Sequence, residues 1–318
     1  MSTDVEFRRL LGRLRLRHLE LLAALGHDPN LGRCAKRLSM TQPTASKLLR
    51  EIEDIFASVL FERNRRGLAP TPAGAVLTRR ASLLLAETAA AHDELAATRQ
   101  GAVGRLRLGV FPVAIHAFLP ALCQALEAGW PGLALALHEG IEDTLLERLE
   151  AGELDAVFGR VVPESLTPDL HHELLYREPT VIVCGPTSRL RHADADALAA
   201  DLADSRWALP AAQGTVYNLV AARLRQLGLP PPRVVHETSS VFITLELLRD
   251  PSLASVLPQR VARHYARTGQ VVQVPLAEIA SSYAVGVVYR RDAGRHPLLP
   301  ALLAAARQAA STIGQGVV

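Results

Sequence analysis

Residues 34–74, CAKRLSMTQPTASKLLREIEDIFASVLFERNRRGLAPTPAG, decide how this chain is read. A helix ending near Leu38 meets a three-residue break, Ser39-Met40-Thr41, and a second helix is predicted from Gln42 to about Phe56. Two helices joined so tightly need a small residue where they cross, supplied by Ala35, and an apolar plug in the turn, supplied by Met40. Ala45, Leu48 and Ile52 form the inward stripe of the second helix. Thr41 is a good N-cap, and Pro43 falls in the first turn, where its missing N–H costs little. With Ala45 facing inward, steps of about 100° per residue turn Pro43, Ser46, Lys47 and Arg50 outward, while Gln42 sits between the two faces.

That outward set carries donors for phosphates and base edges and no large hydrophobe. In a helix-turn-helix the second helix enters the major groove with its N-terminal residues against the bases. Gln42 and Thr44 would then read base edges, and Lys47 and Arg50 would reach guanine or phosphate. An ordinary helical hairpin with a solvated basic face has the same spacing. The segment behind it favours the first reading: Phe61 to Pro70 is hairpin-like, turns at Arg66-Gly67, and carries Arg63, Arg65 and Arg66 as a basic wing.

Working outward, residues 17–26 read as a helix with Leu19, Leu22 and Ala23 on one face and Gly26 as its stop. Asp28-Pro29-Asn30 then offers caps before a helix from Leu31 to Leu38. Downstream, Thr71-Pro72-Ala73-Gly74 opens a long helix reaching about Thr98. Its apolar side (Val76, Leu77, Leu83, Leu84, Ala90, Ala91) is longer than a small wing domain needs, which points to pairing with a second copy. Gly101 and Gly104 mark a linker.

Beyond it, strands alternate with helices. Strands are expected at 106–110, 133–137, 154–161, 180–184 and 206–209, with helices at 118–126, 144–149, 216–227 and 239–248. This pattern implies a mostly parallel sheet covered on both faces, in two α/β lobes with a cleft between them. The organisation expected is residues 1–71 as an all-α winged helix-turn-helix domain, 72–104 as linker helix and hinge, and 105–318 as the two-lobed α/β body.

The bulk numbers agree with this division. The net charge of +3 hides a head, residues 1–66, at +5 and a remainder at −2. A basic head on a slightly acidic body suits a polyanionic partner. Cysteines at 34, 123 and 184 are an odd count without CxxC spacing, which argues against a disulfide framework or structural zinc and for a reducing compartment. Residues 1–16 lack the apolar core of a signal peptide, and no run of apolar residues is long enough to span a bilayer. A cytoplasmic location follows as the expectation.

The run from Cys34 to Gly74 resembles the N-terminal domain of LysR-type transcriptional regulators. The correspondence lies in the turn, Gln42-Pro43 opening the second helix, Leu60-Phe61-Glu62-Arg63, and Thr71-Pro72-Ala73-Gly74, in that order and spacing. The dozen or so residues before Arg17 fall outside it. The resemblance implies that Thr41, Gln42, Pro43, Thr44, Ser46, Lys47 and Arg50 face DNA, with Arg63, Arg65 and Arg66 in the wing. It also implies a homodimer through the long helix, a dimer of dimers, an interrupted inverted repeat in double-stranded DNA as the target, and RNA polymerase as a further partner.

From Arg105 the chain resembles the family's effector domain, which has the periplasmic-binding-protein fold. The markers are Arg105-Leu-Arg-Leu-Gly109, Leu119-Pro120, Trp130-Pro131, Gly152-Glu-Leu-Asp155, Trp207-Ala-Leu-Pro210 and Val256-Leu-Pro258. Ligands of such folds sit between the lobes, often at helix N-termini. Three segments are candidates for a small-molecule co-inducer: Pro112, Val113 and Ala114; Gln213, Gly214 and Thr215; and Ser239 with Ser240. Each also reads as a plain cap or turn. Relatives that take small carboxylates often place Ser or Thr where this chain has Val113-Ala114, which suits a more apolar ligand or a backbone contact. The general cast resembles regulators of sugar and aromatic-acid catabolism.

No catalytic constellation accompanies these features. His138-Glu139 with Glu142-Asp143, and His171-His172-Glu173, lack metal-ligand spacing, and no G-x-S-x-G or GK[ST] motif is present. The expectation is therefore a regulator with no catalytic residues, no metal and no cofactor beyond its co-inducer. A redox sensor at Cys123 or Cys184 stands as the rival within the regulator class.

Overall fold

The computed structural model describes residues 2–64, 67–99, 103–191, 195–210, 215–276, 280–291 and 296–315. The chain divides into two compact units. One holds residues 1–107 with 132–136 and 143–155; the other holds 108–131, 137–142 and 156–318.

The N-terminal part of the first unit is α1 (Ser2–Arg13), α2 (Leu16–His27), α3 (Leu31–Arg37), α4 (Gln42–Phe56), the hairpin β1 (Phe61–Asn64) and β2 (Gly67–Pro70), and α5 (Pro72–Arg99). Its core gathers Leu21, Leu22 and Leu25 of α2, Ala35 of α3, Ala45, Leu49 and Ile52 of α4, and Leu60. Two details depart from expectation. The inward stripe of α4 runs through Leu49, with Leu48 half-buried at its edge, because the step from Ala45 along the buried face is i+4. Gly26 does not stop α2, which continues to His27 before Asp28 turns extended. Gly26 is instead a contact glycine, since a Cβ there would come within 3.0 Å of Thr78 Cβ on α5.

The long helix starts where Thr71-Pro72-Ala73-Gly74 predicts. The Thr71 hydroxyl donates to the Val59 carbonyl at 2.9 Å and accepts from Gly74 N–H at 3.1 Å, capping α5. Gly74 is required because a Cβ would lie 2.0 Å from the Leu60 carbonyl oxygen. This helix is thereby anchored to the base of the hairpin.

The body is built on a nine-stranded sheet ordered β4 (Leu133–Glu139), β3 (Gly104–Val110), β5 (Ala156–Arg160), β11 (Ala280–Arg290), β6 (Leu170–Cys184), β9 (Leu253–Pro258), β7 (Arg206–Leu209) and β8 (Arg233–Glu237), with β10 (Val272–Gln273) on β6. The sheet is mixed rather than mostly parallel. β3 pairs β5 and β7 pairs both β8 and β9 in parallel, but β6 and β11 run antiparallel to each other and to their neighbours. These two long strands link the lobes. Only Thr180–Cys184 of β6 was expected, and neither β11 nor the helices α12 (Gln259–Arg267) and α13 (Leu299–Gln315) had been.

Helices cover the sheet. In lobe one, α6 (Pro112–Ile115) leads into α7 (Phe118–Gly129), which packs against α13 across buried Phe118, Leu122 and Leu126, while α8 (Glu142–Glu150) precedes β5. In lobe two, α9 (Ala195–Asp204) and α10 (Thr215–Gln226) close one apolar cluster around Trp207, and α11 (Val241–Leu247) with α12 closes another around Leu248 and Val261. Among the described residues no helix is long and apolar enough to cross a membrane.

Candidate nucleic-acid interface and effector cleft

The turn between α3 and α4 is closed by backbone bonds: Leu38 N–H to the Cys34 carbonyl at 3.0 Å and Met40 N–H to the Ala35 carbonyl at 2.9 Å. Ser39 pays for this geometry with φ +54. Thr41 then caps α4, accepting from Thr44 N–H at 3.3 Å, and its hydroxyl lies 2.8 Å from that of Thr44. Gln42, Pro43, Thr44, Lys47 and Arg50 are exposed and Ser46 is half-buried. Arg50 lies back along its helix, donating to the Ser46 carbonyl at 3.4 Å, and Lys47 stands 3.9 Å from Glu51. Ion pairs so exposed hold little energy and exchange readily for phosphate.

The hairpin is fixed to this helix. Glu53 of α4 accepts from Leu60 N–H at 2.8 Å and from Phe61 N–H at 3.4 Å, while Leu68 N–H on β2 donates to the Pro29 carbonyl at 3.1 Å. Gly67 has φ +129 beside that same carbonyl, which excludes other residues. Arg63 is exposed on β1; Arg65 and Arg66 lie outside the described residues. An open groove of about 250 Å³ brings Gln42 and Arg63 together with Asn30, Gly32 and Gly67. Asn30 caps α3, and the adjoining Arg33–Asp28 pair, at 2.5–2.6 Å, holds the Asp28 carboxyl below its ordinary range.

In the body the sequence-predicted effector residues fare differently from one another. Pro112 and Val113 start α6 half-buried, whereas Ala114 is fully buried and its N–H is taken by the Phe111 carbonyl at 2.9 Å. Gln213 and Gly214 lie outside the described residues, and Thr215 begins α10. Ser239 is exposed; Ser240 caps α11, accepting from Ile243 N–H at 3.4 Å.

Residues that sequence reasoning missed cluster where β6 and β11 cross between the lobes. The Arg160 guanidinium, at the end of β5, lies 5.9 Å from the centroid of the Tyr283 ring, with no carboxylate partner among the described residues. Arg260 lies 5.2 Å over Tyr176 and pairs with Glu178, which is wholly buried and also accepts Arg260 N–H at 2.9 Å, capping α12. Burial pushes both phenols, Tyr176 and Tyr283, far above their ordinary range, so they stay neutral. The His116 ring, after α6, sits 5.0 Å from His264 and 5.2 Å from Tyr265 on α12; burial, then repulsion from His264, lowers its pKa. No local motif announces these groups, because each strand contributes only one or two. Burial disfavours the thiolate at each cysteine: it raises Cys34 and Cys123, and Cys184 is pushed up to about 11.

Comparison with known proteins places both parts. Residues 16–75 match the bacterial regulatory helix-turn-helix proteins of the lysR family, and residues 99–311 match the LysR substrate binding domain. The chain is 32% identical over 304 residues to the HTH-type transcriptional regulator GbpR of Azospirillum brasilense, covering 95% of this chain and 89% of that one. Its fold is shared with ArgP from Mycobacterium tuberculosis (TM-score 0.63, 18% identity, 92% and 96% covered). It is shared too with full-length CbnR complexed with its target DNA (TM-score 0.58, 20% identity, 93% and 99% covered). A helix-turn-helix with an anchored hairpin, joined through a long helix to a two-lobed substrate-binding body, is what these matches span. The chain is a member of the LysR family of transcriptional regulators.

Proposed function

We propose that this regulator binds an interrupted inverted repeat in duplex DNA as a homodimer, or as a dimer of dimers, and that a small-molecule effector between the lobes of its body adjusts that binding. The observation that carries the DNA half is the set of exposed polar residues on α4 (Gln42, Thr44, Lys47, Arg50), of which Gln42 lines one groove with the wing residue Arg63. Gln42 and Thr44 read bases at the helix start, Lys47 and Arg50 reach phosphate or guanine, and Thr41, Pro43 and Ser46 shape the approach. Arg63, Arg65 and Arg66 grip the backbone. CbnR, which shares this fold, has been solved in complex with its target DNA, which supports duplex DNA as the partner. The apolar side of α5 joins the two copies, and RNA polymerase is the downstream partner.

In the effector half, Pro112 and Val113 follow β3 and Arg160 ends β5, so both arms stand at the carboxyl ends of parallel strands, where α/β folds hold ligands. Arg160 over Tyr283 offers a cation and an aromatic face to an organic acid, in line with a regulator of sugar or aromatic-acid catabolism. Ser239 and Ser240, with Gln213, Gly214 and Thr215, complete the site from lobe two. No cofactor is called for. The effector acts through its differential affinity for two arrangements of the protein.

The deciding experiment selects duplexes from a random pool with purified protein and measures affinity with and without Arg50→Ala. Enrichment of an interrupted inverted repeat, bound at least tenfold more weakly by the variant, is the expected result. No enrichment over random DNA would overturn the DNA reading. For the effector, sugar acids and aromatic acids are screened by thermal shift; a hit that persists in Arg160→Ala would remove Arg160 from the site.

A further inference from the structure

The segment ahead of the family's helix-turn-helix, which begins at residue 16, is itself a helix, α1, packed against α4. Leu10 and Leu14 are half-buried, and Leu14 joins the core of the domain. On its exposed side Arg9 and Arg13 stand one turn apart, and Arg17 follows in the first turn of α2. None of these three forms an ion pair among the described residues.

Their placement works against folding. Like charges at i, i+4 repel along a helix, and a cation in the first turn of α2 opposes the helix dipole. Arg13 alone is well placed, in the last turn of α1. A row of cations arranged at a cost to the isolated chain is relieved when a polyanion lies along it. Its position supplies that polyanion. At the junction of α1 and α2, Arg15 N–H donates to His18 Nδ1 at 3.1 Å; His18 Nε2 is 3.7 Å from Glu51, and Glu51 is 3.9 Å from Lys47. The junction therefore adjoins the rim of α4 that carries Lys47.

We infer that Arg9, Arg13 and Arg17 form an auxiliary phosphate-binding edge, which contacts the duplex backbone beside the bases read by α4. This rests on the reading that α4 faces DNA. Such contacts are independent of sequence, so they add affinity and salt dependence without changing which site is preferred.

The test measures affinity across salt for the full-length protein, on the duplex it selects and on a random duplex of equal length. Wild type is compared with Arg9→Ala/Arg13→Ala and with Arg9→Lys/Arg13→Lys. Each lost phosphate contact lowers the slope of log affinity against log salt by about 0.9. The alanine pair removes two contacts from each copy of the homodimer, so it is expected to lose about 3.6 from the slope per bound dimer on both duplexes, leave their affinity ratio unchanged, and be rescued by lysine. Between about 50 and 200 mM salt it then loses roughly a hundredfold less affinity than wild type does. A slope equal to wild type overturns the inference. So does a change in sedimentation that shows the alanine pair dissociating, since the effect would then lie in assembly. The two readings fail separately: selection lost in Arg50→Ala with a wild-type slope in the alanine pair discards only the edge, whereas no selected sequence discards the base-reading role of α4 while the random duplex still tests the edge.

Discussion

The head and the body of this regulator assemble their working groups in opposite ways. From Asn30 to Gly74 every candidate DNA contact lies within a few residues of the structural feature that positions it: Thr41 caps the helix bearing Gln42, and Glu53 of that same helix holds the start of the wing. In the body, Arg160, Tyr283, Glu178 and Arg260 meet only because β5, β11, β6 and α12 come together from positions more than a hundred residues apart. Exposed, locally held groups are inexpensive to lose structurally and costly to lose functionally. Buried, remotely assembled groups reverse that balance.

The largest expected effect tests the buried side of the comparison. Glu178 is wholly buried, caps α12 and pairs with an Arg260 side chain that is itself mostly covered. Glu178→Ala removes one partner and strands the other, which costs about 3–5 kcal/mol. Calorimetry should show the body's transition shifted down, with DNA selectivity kept in the protein that remains folded. An unchanged transition would mean that water replaces the carboxylate, and that the crossing strands tolerate loss of the pair.

The same contrast governs what could be read from residue order alone. The turn, both helices flanking it, the hairpin and the start of α5 follow from caps, glycines and apolar spacing that act over a few residues. Leu49 replaced Leu48 in the α4 stripe, an error of one step on a helix whose Leu48-Leu49 pair is ambiguous by composition. In the body, β11 (ASSYAVGVVYR) lacks polar–apolar alternation because it is covered on both faces, with Val285, Val287 and Val288 all buried, and Gly286 interrupts it where a Cβ would lie 2.2 Å from the Glu173 carbonyl. The first ten residues of β6 carry the polar run His171-His172-Glu173, which looks like loop. Partners across a sheet, absent from a local window, are what make these segments strands. The cluster that they assemble was hidden for the same reason.

A smaller effect probes the local side. Glu53→Ala frees the Leu60 and Phe61 N–H groups at the base of the wing and should cost about 1–2 kcal/mol. If the wing depends on that anchor, DNA affinity falls further than stability does, as Arg63 loses its fixed position. Equal affinity in the variant would assign the anchoring to the Leu68–Pro29 bond and to Thr71 instead.

Acidity separates the two regions again. Burial holds His18 below its ordinary pKa despite the opposing Glu51, so the folded head favours the neutral ring. Unfolded chains take up a proton as pH falls through about 6.5. Stability from this site is therefore complete above that value and is lost as pH falls from it toward the lower folded pKa. Urea midpoints for the full chain should decline over that window, and His18→Gln should flatten the part of the decline reported by the head. A decline unaffected by the substitution would move its origin to the body, where His116 is lowered in the same direction.

The smallest effect is a gain. Ala57 ends α4 in the left-handed region, φ +47 and ψ +40, and donates to the Glu53 carbonyl. A Cβ in that conformation costs about 1–2 kcal/mol, part of which a glycine gives back through its greater freedom when unfolded. Ala57→Gly should therefore raise stability by about 0.5–1 kcal/mol in urea. Because Ala57 is exposed at the end of α4 opposite the Gln42 start proposed to meet DNA, affinity for DNA should stay as it was. Glu53 ties the two ends of this local design together: its carbonyl receives the strained turn and its carboxylate receives the wing. A gain in stability accompanied by weaker DNA binding would show that the wing relies on the stiffness of that turn, so that even the head couples its function to backbone conformation and not only to exposed side chains.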